Sequence, residues 1–134
     1  MANENPMGIA DLPFAASGDL SSYQYYFVKP ATTAKRVLLG NGASVAAPIG
    51  VLQNDPVSGE AAQVRVYGTT QLWFSGSVNV SYGDWLVCGS AGGAELAALS
   101  SINAMALEAI TAGSGYIEAL LMPGAWSTWG DNTP

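Results

Sequence analysis

Histidine is absent from this 134-residue sequence, and cysteine occurs only once, at Cys88. Without histidine, the chain has no side chain with which to build a Ser-His or Cys-His catalytic pair or an imidazole metal site. A single cysteine cannot form an intrachain disulfide or a cysteine-based zinc cluster. Because Cys88 lies in the apolar run DWLVC, we predict that it is a small core residue.

Carboxylates are the remaining candidates for catalysis, and several lie beside turn-forming residues, as Asp55 and Asp84 do. Aspartate is common there because its side chain bonds to nearby backbone groups, so we predict no catalytic pair of the glycosidase type. The Gly-rich pieces GNGAS and GSAGG lack the Lys-Ser/Thr of a phosphate-binding loop, and no calcium-loop spacing is present. The sequence therefore predicts no catalytic residue, no metal site and no cofactor.

Charged residues are also scarce, at 10% of the chain against a usual value of about 25%. Four Lys and Arg stand against ten Asp and Glu, which gives a net charge of −6. This balance argues against nucleic acid and anionic membranes as partners, because both attract basic surfaces. No run of about 18 apolar residues is present to span a bilayer. We expect more apolar surface than usual, and such surface often contacts another protein.

Short apolar segments separated by turn signals are what the sequence does contain. Residues 50–68, GVLQNDPVSGEAAQVRVYG, read as a hairpin, and residues 106–124, ALEAITAGSGYIEALLMPG, read as a second one. Val51 then aligns with Leu107, and the glycines of the two turns also align. A lone hairpin is marginally stable, but two in one sheet can close over a shared core.

About nine or ten short strands are predicted in all, joined by Gly, Asn, Asp and Pro turns. The aromatic run Tyr23–Lys29 is one of them, ended by Pro30 because proline donates no ladder hydrogen bond. Residues 104–109 are predicted as strand by the hairpin repeat, and residues 95–101 as loop or a short helical turn. The predicted fold class is all-β, a small antiparallel β-barrel or sandwich with an extended N-terminal arm and a short C-terminal tail.

Two flanking segments lie outside this predicted barrel domain of residues 23–123. Residues 1–22 are predicted as an extended arm, with a frayed terminus as the alternative. Residues 124–134 form a tail with helix breakers, whose tryptophans either fold back onto the barrel or contact a partner. The predicted partner-contact residues of the two segments are Met7, Ile9, Leu12, Phe14, Trp126 and Trp129.

The order of motifs over residues 35–123 resembles that of phage capsid cement proteins, which are also called decoration or head-stabilising proteins. The shared features begin with Ile-Gly-Val, a Ser-Gly-Glu turn and the alternating strand QVRVYG. They continue with VSYGDWLV, a Gly-rich turn, an Ala-Leu-Glu strand and YIEALLMPG. Two positions depart from the family pattern: Tyr82-Gly83-Asp84 replaces Ala-Gly-Asp, and Met105-Ala106 replaces the second Ile-Gly.

The resemblance implies a small β-barrel, commonly a homotrimer, on the outer surface of an icosahedral phage capsid. Its expected partners are the major capsid protein and further copies of itself, and its expected activity is to clamp neighbouring capsomers after the head expands. Many identical weak contacts then add through multivalency. An extended arm can add a strand to a neighbouring subunit, which makes residues 1–22 the expected attachment.

Two other hypotheses remain open at this point. One is a phage tail or fibre module that binds carbohydrate through aromatic side chains, with Trp126 and Trp129 as its candidates. The other is a carboxylate-based hydrolase on a β-scaffold, which the missing histidine and the missing motif disfavour. The sequence predicts that the protein is not an enzyme.

Overall fold

The computed structural model describes residues 9–42, 47–76, 79–97, 102–111 and 113–122. These residues form ten short β-strands and no helix, which confirms the all-β fold class. None of them belongs to a helix long and apolar enough to cross a membrane. The strands are β1 (Ala10–Ala16), β2 (Phe27–Pro30), β3 (Arg36–Leu39), β4 (Gly50–Leu52), β5 (Ala61–Tyr67), β6 (Thr69–Phe74), β7 (Trp85–Cys88), β8 (Ala94–Leu96), β9 (Ala104–Ala106) and β10 (Gly115–Leu121).

The ten strands form two closed sheets, whereas the sequence predicts one barrel. The first barrel has the order β1-β3-β2-β4-β5 and closes by antiparallel pairing of β5 with β1. The second has the order β6-β8-β7-β9-β10 and closes by antiparallel pairing of β10 with β6. Each contains one parallel pair, β1 with β3 and β6 with β8, so neither barrel is wholly antiparallel.

The two barrels are repeats of one topology, because every pairing in the first has a counterpart of the same direction in the second. Phe27 lies opposite Val51 as Trp85 lies opposite Met105, and Val51 lies opposite Arg65 as Met105 lies opposite Leu120. The structure therefore confirms a repeated hairpin but corrects its register. Val51 corresponds to Met105, and not to Leu107 as the sequence alignment has it.

Strand β1 corrects the predicted arm of residues 1–22. Residues 10–16 belong to the first barrel, where they pair with β5 from Ala10 to Ala15 and with β3 at Ala15 and Ala16. Their extended conformation agrees with the prediction, but their backbone groups bond within the chain. The predicted barrel boundary at residue 23 therefore falls inside the first barrel, and residues 1–8 lie outside the described residues.

Two further predictions of secondary structure need correction. They concern one segment rich in aromatic residues and one rich in helix-forming residues. Of the predicted strand Tyr23–Lys29, only residues 27–29 are strand, and β2 also includes Pro30. Residues 23–26 form turns closed by backbone bonds to Leu20 and Tyr23. Ala94–Leu96 forms β8, where loop or helical turn was predicted from residue 95 onward. The strand prediction at residues 104–109 is confirmed for its first half, at β9.

Each barrel has its own apolar core, and two side chains of the first barrel belong to the core of the second. Ala16, Val28 and Val64 lie in the first core, while Leu72 and Phe74 of β6 lie in the second. Phe27 and Val51 join the second cluster, where they are 1% and 0% exposed. Because full burial of such a side chain contributes about 1.5–3 kcal/mol, these two residues help to fix the barrels against each other.

Candidate functional site

Five aromatic side chains from both barrels form one connected cluster. Tyr23, Tyr25 and Tyr26 come from the turns between β1 and β2, Trp73 from β6, and Tyr116 from β10. Tyr116 is the most open of the five, at 53% exposed, and the other four are half-buried. We call this group the aromatic cluster, and it is the candidate contact site that the structure adds to those predicted from sequence.

The rings of the cluster contact one another in the geometries that aromatic pairs prefer. Tyr26 stacks on Trp73 with centroids 6.1 Å apart and an interplanar angle of 16°. Trp73 meets Tyr116 edge-on at 4.9 Å, and Tyr23 meets Tyr26 edge-on at 5.1 Å. Each such pair contributes about 0.5–1.5 kcal/mol beyond burial of its area, so the cluster is held rigid across the junction of the barrels.

The backbone beneath the cluster is strained at Tyr25, whose φ of 72° lies in the left-handed region. For a non-glycine residue this conformation costs roughly 1–2 kcal/mol. Hydrogen bonds hold it, because the Tyr25 N–H donates to the Leu52 carbonyl and its own carbonyl accepts from the Trp73 N–H, at 2.7 and 2.9 Å. The strained turn therefore ties the first barrel to β6 and presents the tyrosines beside Trp73.

The aromatic cluster can contact a partner through its ring faces and its phenol hydroxyls. Desolvation raises the pKa of Tyr26, and the neighbouring Tyr116 and Tyr23 raise it further, so its hydroxyl remains a neutral hydrogen-bond donor at physiological pH. Apolar rings with polar tips suit protein or carbohydrate surfaces. Within the described parts of the chain, no group of three or more Cys, Asp or Glu side chains is placed to hold a metal ion.

The predicted contact residues of the N-terminal segment lie on and beside β1. Leu12 is 44% exposed, whereas Phe14 is half-buried and packs against the first core. Ile9 is half-buried immediately before the strand. A shallow groove of about 390 Å³ runs over this outer surface, and it is lined by Asp11, Leu12, Pro13, Asn54, Ala61, Ala62 and Gln63. Of the predicted contact residues that the structure describes, Leu12 is the most exposed, while Phe14 supports the barrel.

An ion pair beside this groove fixes β1 on β5. Arg65 Nε donates to Asp11 Oδ1 at 2.7 Å, and Arg65 Nη2 donates to Asp11 Oδ2 at 3.1 Å. Gln63 Nε2 donates to the same carboxylate. The hydrogen bond from Arg65 is the main cause that holds the pKa of Asp11 below its usual value, against a smaller opposite effect of burial. This arrangement is structural, since every bond keeps neighbouring strands in register.

The remaining predicted residues divide between the core, the surface and the segments not described. Met7, Trp126 and Trp129 lie outside the described residues, so their contacts stay predictions. Phe74 is fully buried, and Trp85 is exposed on the outer face of β7. Cys88 is buried as predicted, and desolvation raises the pKa of its thiol.

Comparison with known proteins gives a likeness in fold. No protein-family model matches the chain, and no curated protein matches its sequence. Thirteen chains of solved structures match its fold. One is the N base of the head fibre gp8.5 of bacteriophage phi29, with a TM-score of 0.61 and 15% identity, covering 85% of this chain and 94% of that chain. At this identity the likeness shows a shared fold.

Sequence reasoning missed the aromatic cluster because its members are distant in the chain. The signal available was the run YQYY at residues 23–26, which is rich in aromatics but has no strict alternation. Aromatic content favours strands, so this run predicts a strand where the structure has turns. The pairing of this turn with Trp73 and Tyr116 depends on how the two barrels pack, which local pattern does not encode.

Proposed function

We propose that this protein is a structural component of a phage virion that binds the outer surface of the icosahedral head. There it clamps neighbouring capsomers and stabilises the expanded shell. The observation that carries the proposal is the fold likeness to the N base of the phi29 head fibre, which extends over nearly the whole of that domain. The motif order that resembles cement proteins supports the same role independently.

The proposal assigns binding to contact surface and gives the protein no catalytic step. Leu12 and the groove beside it lie where the chain enters the first barrel from residues 1–8, so the shell contact is assigned to this side. The major capsid protein is the proposed partner, and a homotrimer the proposed assembly. Many copies of a modest contact then give strong attachment, as multivalent binding does.

Co-sedimentation with expanded heads that lack the protein tests this proposal. We expect saturable binding at a fixed ratio to capsid subunits, since the shell repeats one site. Leu12→Ser is expected to weaken binding at least tenfold, and Leu96→Ser is the matched control, because Leu96 is a similarly exposed leucine at 39% on the second barrel. Binding that never saturates, or no binding at all, would contradict the proposal.

The role of residues 1–8 is tested separately by deleting residues 2–8. This deletion leaves β1 intact, whereas removal of residues through 18 would unfold the first barrel. The deletion is expected to weaken attachment without changing the melting temperature. Unchanged binding would refute the arm mechanism and leave the surface contact at Leu12 as the attachment. The native mass of the purified protein, against a chain mass of 13.8 kDa, tests the trimer.

A carbohydrate-binding fibre module is the second candidate, and the aromatic cluster is what favours it. Half-exposed Tyr116 beside Trp73 offers ring faces on which a sugar can stack. Glycan-array binding that is lost in Tyr116→Ala and kept in Tyr82→Ala would support this candidate. Tyr82 is the matched control because it is an exposed tyrosine, at 73%, and has no ring contact with the aromatic cluster.

A further inference from the structure

Two rings of the aromatic cluster have polar neighbours on the outer face of β6 and β10. Trp73 lies directly opposite Tyr116, and two residues away along each strand Gln71 lies opposite Glu118. Directly opposed residues, and residues two apart, project to the same side of a sheet. The outer face therefore carries two rings beside an amide and a carboxylate, with about 7 Å between the two pairs along the strands. We call these four residues the sheet patch.

The two polar side chains of the sheet patch, those of Gln71 and Glu118, are exposed. The hydrogen bonds that these residues make within the described part of the chain come from their backbone groups. The Gln71 carbonyl accepts from Thr70 Oγ1, and the Glu118 N–H donates to Glu108 Oε1. The side-chain amide and carboxylate therefore keep their hydrogen-bonding capacity for a ligand.

Tyr116 is the exposed ring of the sheet patch, and its neighbours hold it in place. It is 53% exposed, and its centroid lies 4.9 Å from that of Trp73 and 5.9 Å from that of Tyr25. Tyr67 and Tyr82 are also exposed, but they make no ring contact with another described residue. A ring that is fixed in advance loses little conformational freedom when a ligand stacks on it. Tyr116 is therefore better prepared for stacking than the other two tyrosines.

A ring beside an amide and a carboxylate suits the surface chemistry of a sugar. The face of a pyranose consists of C–H groups, which pack on an aromatic ring, and its edge carries hydroxyls, which both donate and accept hydrogen bonds. The carboxylate of Glu118 accepts, and the amide of Gln71 both donates and accepts, so neighbouring hydroxyls of one sugar can be bound together. A protein partner is held by several clustered apolar anchors, whereas the sheet patch offers one exposed ring.

The charge of the second barrel favours a neutral sugar over an acidic one. Residues 69–122 contain no Lys or Arg. Their acidic residues are Asp84, Glu95, Glu108 and Glu118. Arg65 of the first barrel, which interacts electrostatically with Tyr25, is already paired with Asp11. A sialylated, sulfated or phosphorylated sugar would therefore bring its negative charge close to Glu118 without a cation to balance it.

We propose that the sheet patch binds one unit of a neutral saccharide, which stacks on Tyr116 and forms hydrogen bonds with Gln71 and Glu118. The inference rests on the carbohydrate-binding candidate above, and it adds the class of sugar and the polar residues that select it. It does not depend on the proposed capsid role, because Leu12 and its groove lie on the first barrel.

An array of neutral and acidic glycans, probed with the full chain, tests the proposal. Binding is expected to neutral glycans and not to their sialylated or sulfated counterparts. Tyr116→Ala is expected to weaken this binding about tenfold, whereas Tyr116→Phe keeps the ring and is expected to retain most of it. Tyr82→Ala is the control for an exposed tyrosine and is expected to bind as the wild type does.

The polar pair is tested by Gln71→Ala and Glu118→Ala, which change exposed side chains and are expected to leave the fold intact. Each is expected to weaken binding about threefold or more, and Glu95→Ala, at another exposed carboxylate of the same barrel, is the matched control.

The outcomes separate this proposal from the candidate function on which it rests. Binding to acidic glycans alone, or binding that neither Tyr116→Ala nor the two polar variants weaken, would overturn the proposal and leave the carbohydrate-binding candidate standing. Binding to no glycan on the array would overturn both. Neither result bears on attachment to expanded heads, which Tyr116→Ala is expected to leave unchanged.

Discussion

The two barrels share one topology, yet the same row of outer positions is buried in the first and exposed in the second. Phe27 and Val51 are buried because the second barrel follows them in the chain and packs on them. Trp85 and Met105 have no third barrel to cover them within the described residues. Repeat proteins meet the same problem at their ends, where a terminal unit needs a cap. Within the described residues, the duplicated fold therefore has one copy of this row buried between the barrels and one copy that no barrel covers.

The largest expected difference between the two rows is in their contribution to stability. Phe27→Ala is expected to lower the free energy of unfolding by about 3–5 kcal/mol, because it empties a fully buried site between the barrels. Trp85→Ala is expected to cost only about 1 kcal/mol, since the side chain is 42% exposed. Urea unfolding of both variants measures the two values. Equal losses would show that the rows are equally covered and would break the comparison.

A second expected difference in stability is between substitutions at Gly50 and at its counterpart in the second barrel, Ala104. A Cβ at residue 50 would approach the Arg65 carbonyl oxygen and would lie 2.7 Å from Val64 Cγ1, so the strands must separate. Gly50→Ala is expected to cost about 2–3 kcal/mol by overpacking. Ala104→Gly is expected to cost about 1 kcal/mol, chiefly in chain entropy.

Thermal unfolding of these two variants provides the check. The melting temperature of Gly50→Ala should fall clearly below that of Ala104→Gly. The reverse order would mean that β4 and β5 do not approach as closely as the structure has them. Strand spacing would then not explain why glycine stands at residue 50 and alanine at the equivalent residue 104.

The smallest expected difference in stability between equivalent positions of the two barrels comes from an ion pair. Asp11 and Arg65 pair across β1 and β5, while the equivalent pair in the second barrel is the uncharged Thr69 and Leu120. Asp11→Asn is expected to cost about 1 kcal/mol near neutral pH, because the pair is partly buried and makes two hydrogen bonds.

The pH dependence of this loss follows from the direction of the pKa shift. The pKa of Asp11 is lower in the folded state than in the unfolded chain, so its stabilising contribution is complete above about pH 4. It is lost as the pH falls through the folded-state pKa. Acid titration of the stability difference between wild type and Asp11→Asn should show it vanish there, and Asp55→Asn, in an exposed turn, is the control. A difference that persists at the lowest pH would exclude the ion pair as its cause.

Much of the strand content was predictable from the sequence, because alternation and turn residues are local signals. The predicted hairpin at residues 50–68 is present, with β4 paired antiparallel to β5, and the second predicted hairpin contains β10, which pairs antiparallel to β9. The division into two barrels was not predictable in this way. It depends on β1 pairing with the distant β5, a long-range contact that no local pattern specifies.

The candidate contact residues show the same difference between features that a local pattern predicts and features that depend on long-range packing. Leu12 is exposed, and its contact role stays a prediction, whereas Phe14 packs against its own barrel because β1 belongs to the sheet. The aromatic cluster and the burial of Phe27 and Val51 arise from packing of one repeat on the other. Sequence showed the repeat as a weak hairpin similarity, and only the pairing registers identify which positions are equivalent.

Heat resistance of expanded phage heads tests the central proposal most directly. Heads that lack the protein are titrated with it, and the temperature at which the shells release DNA is measured against occupancy. Clamping between capsomers predicts that this temperature rises with occupancy and levels off when the sites are full. Full occupancy without any rise in the release temperature would contradict the clamping role, and failure to bind the shells would contradict the proposed function as a whole.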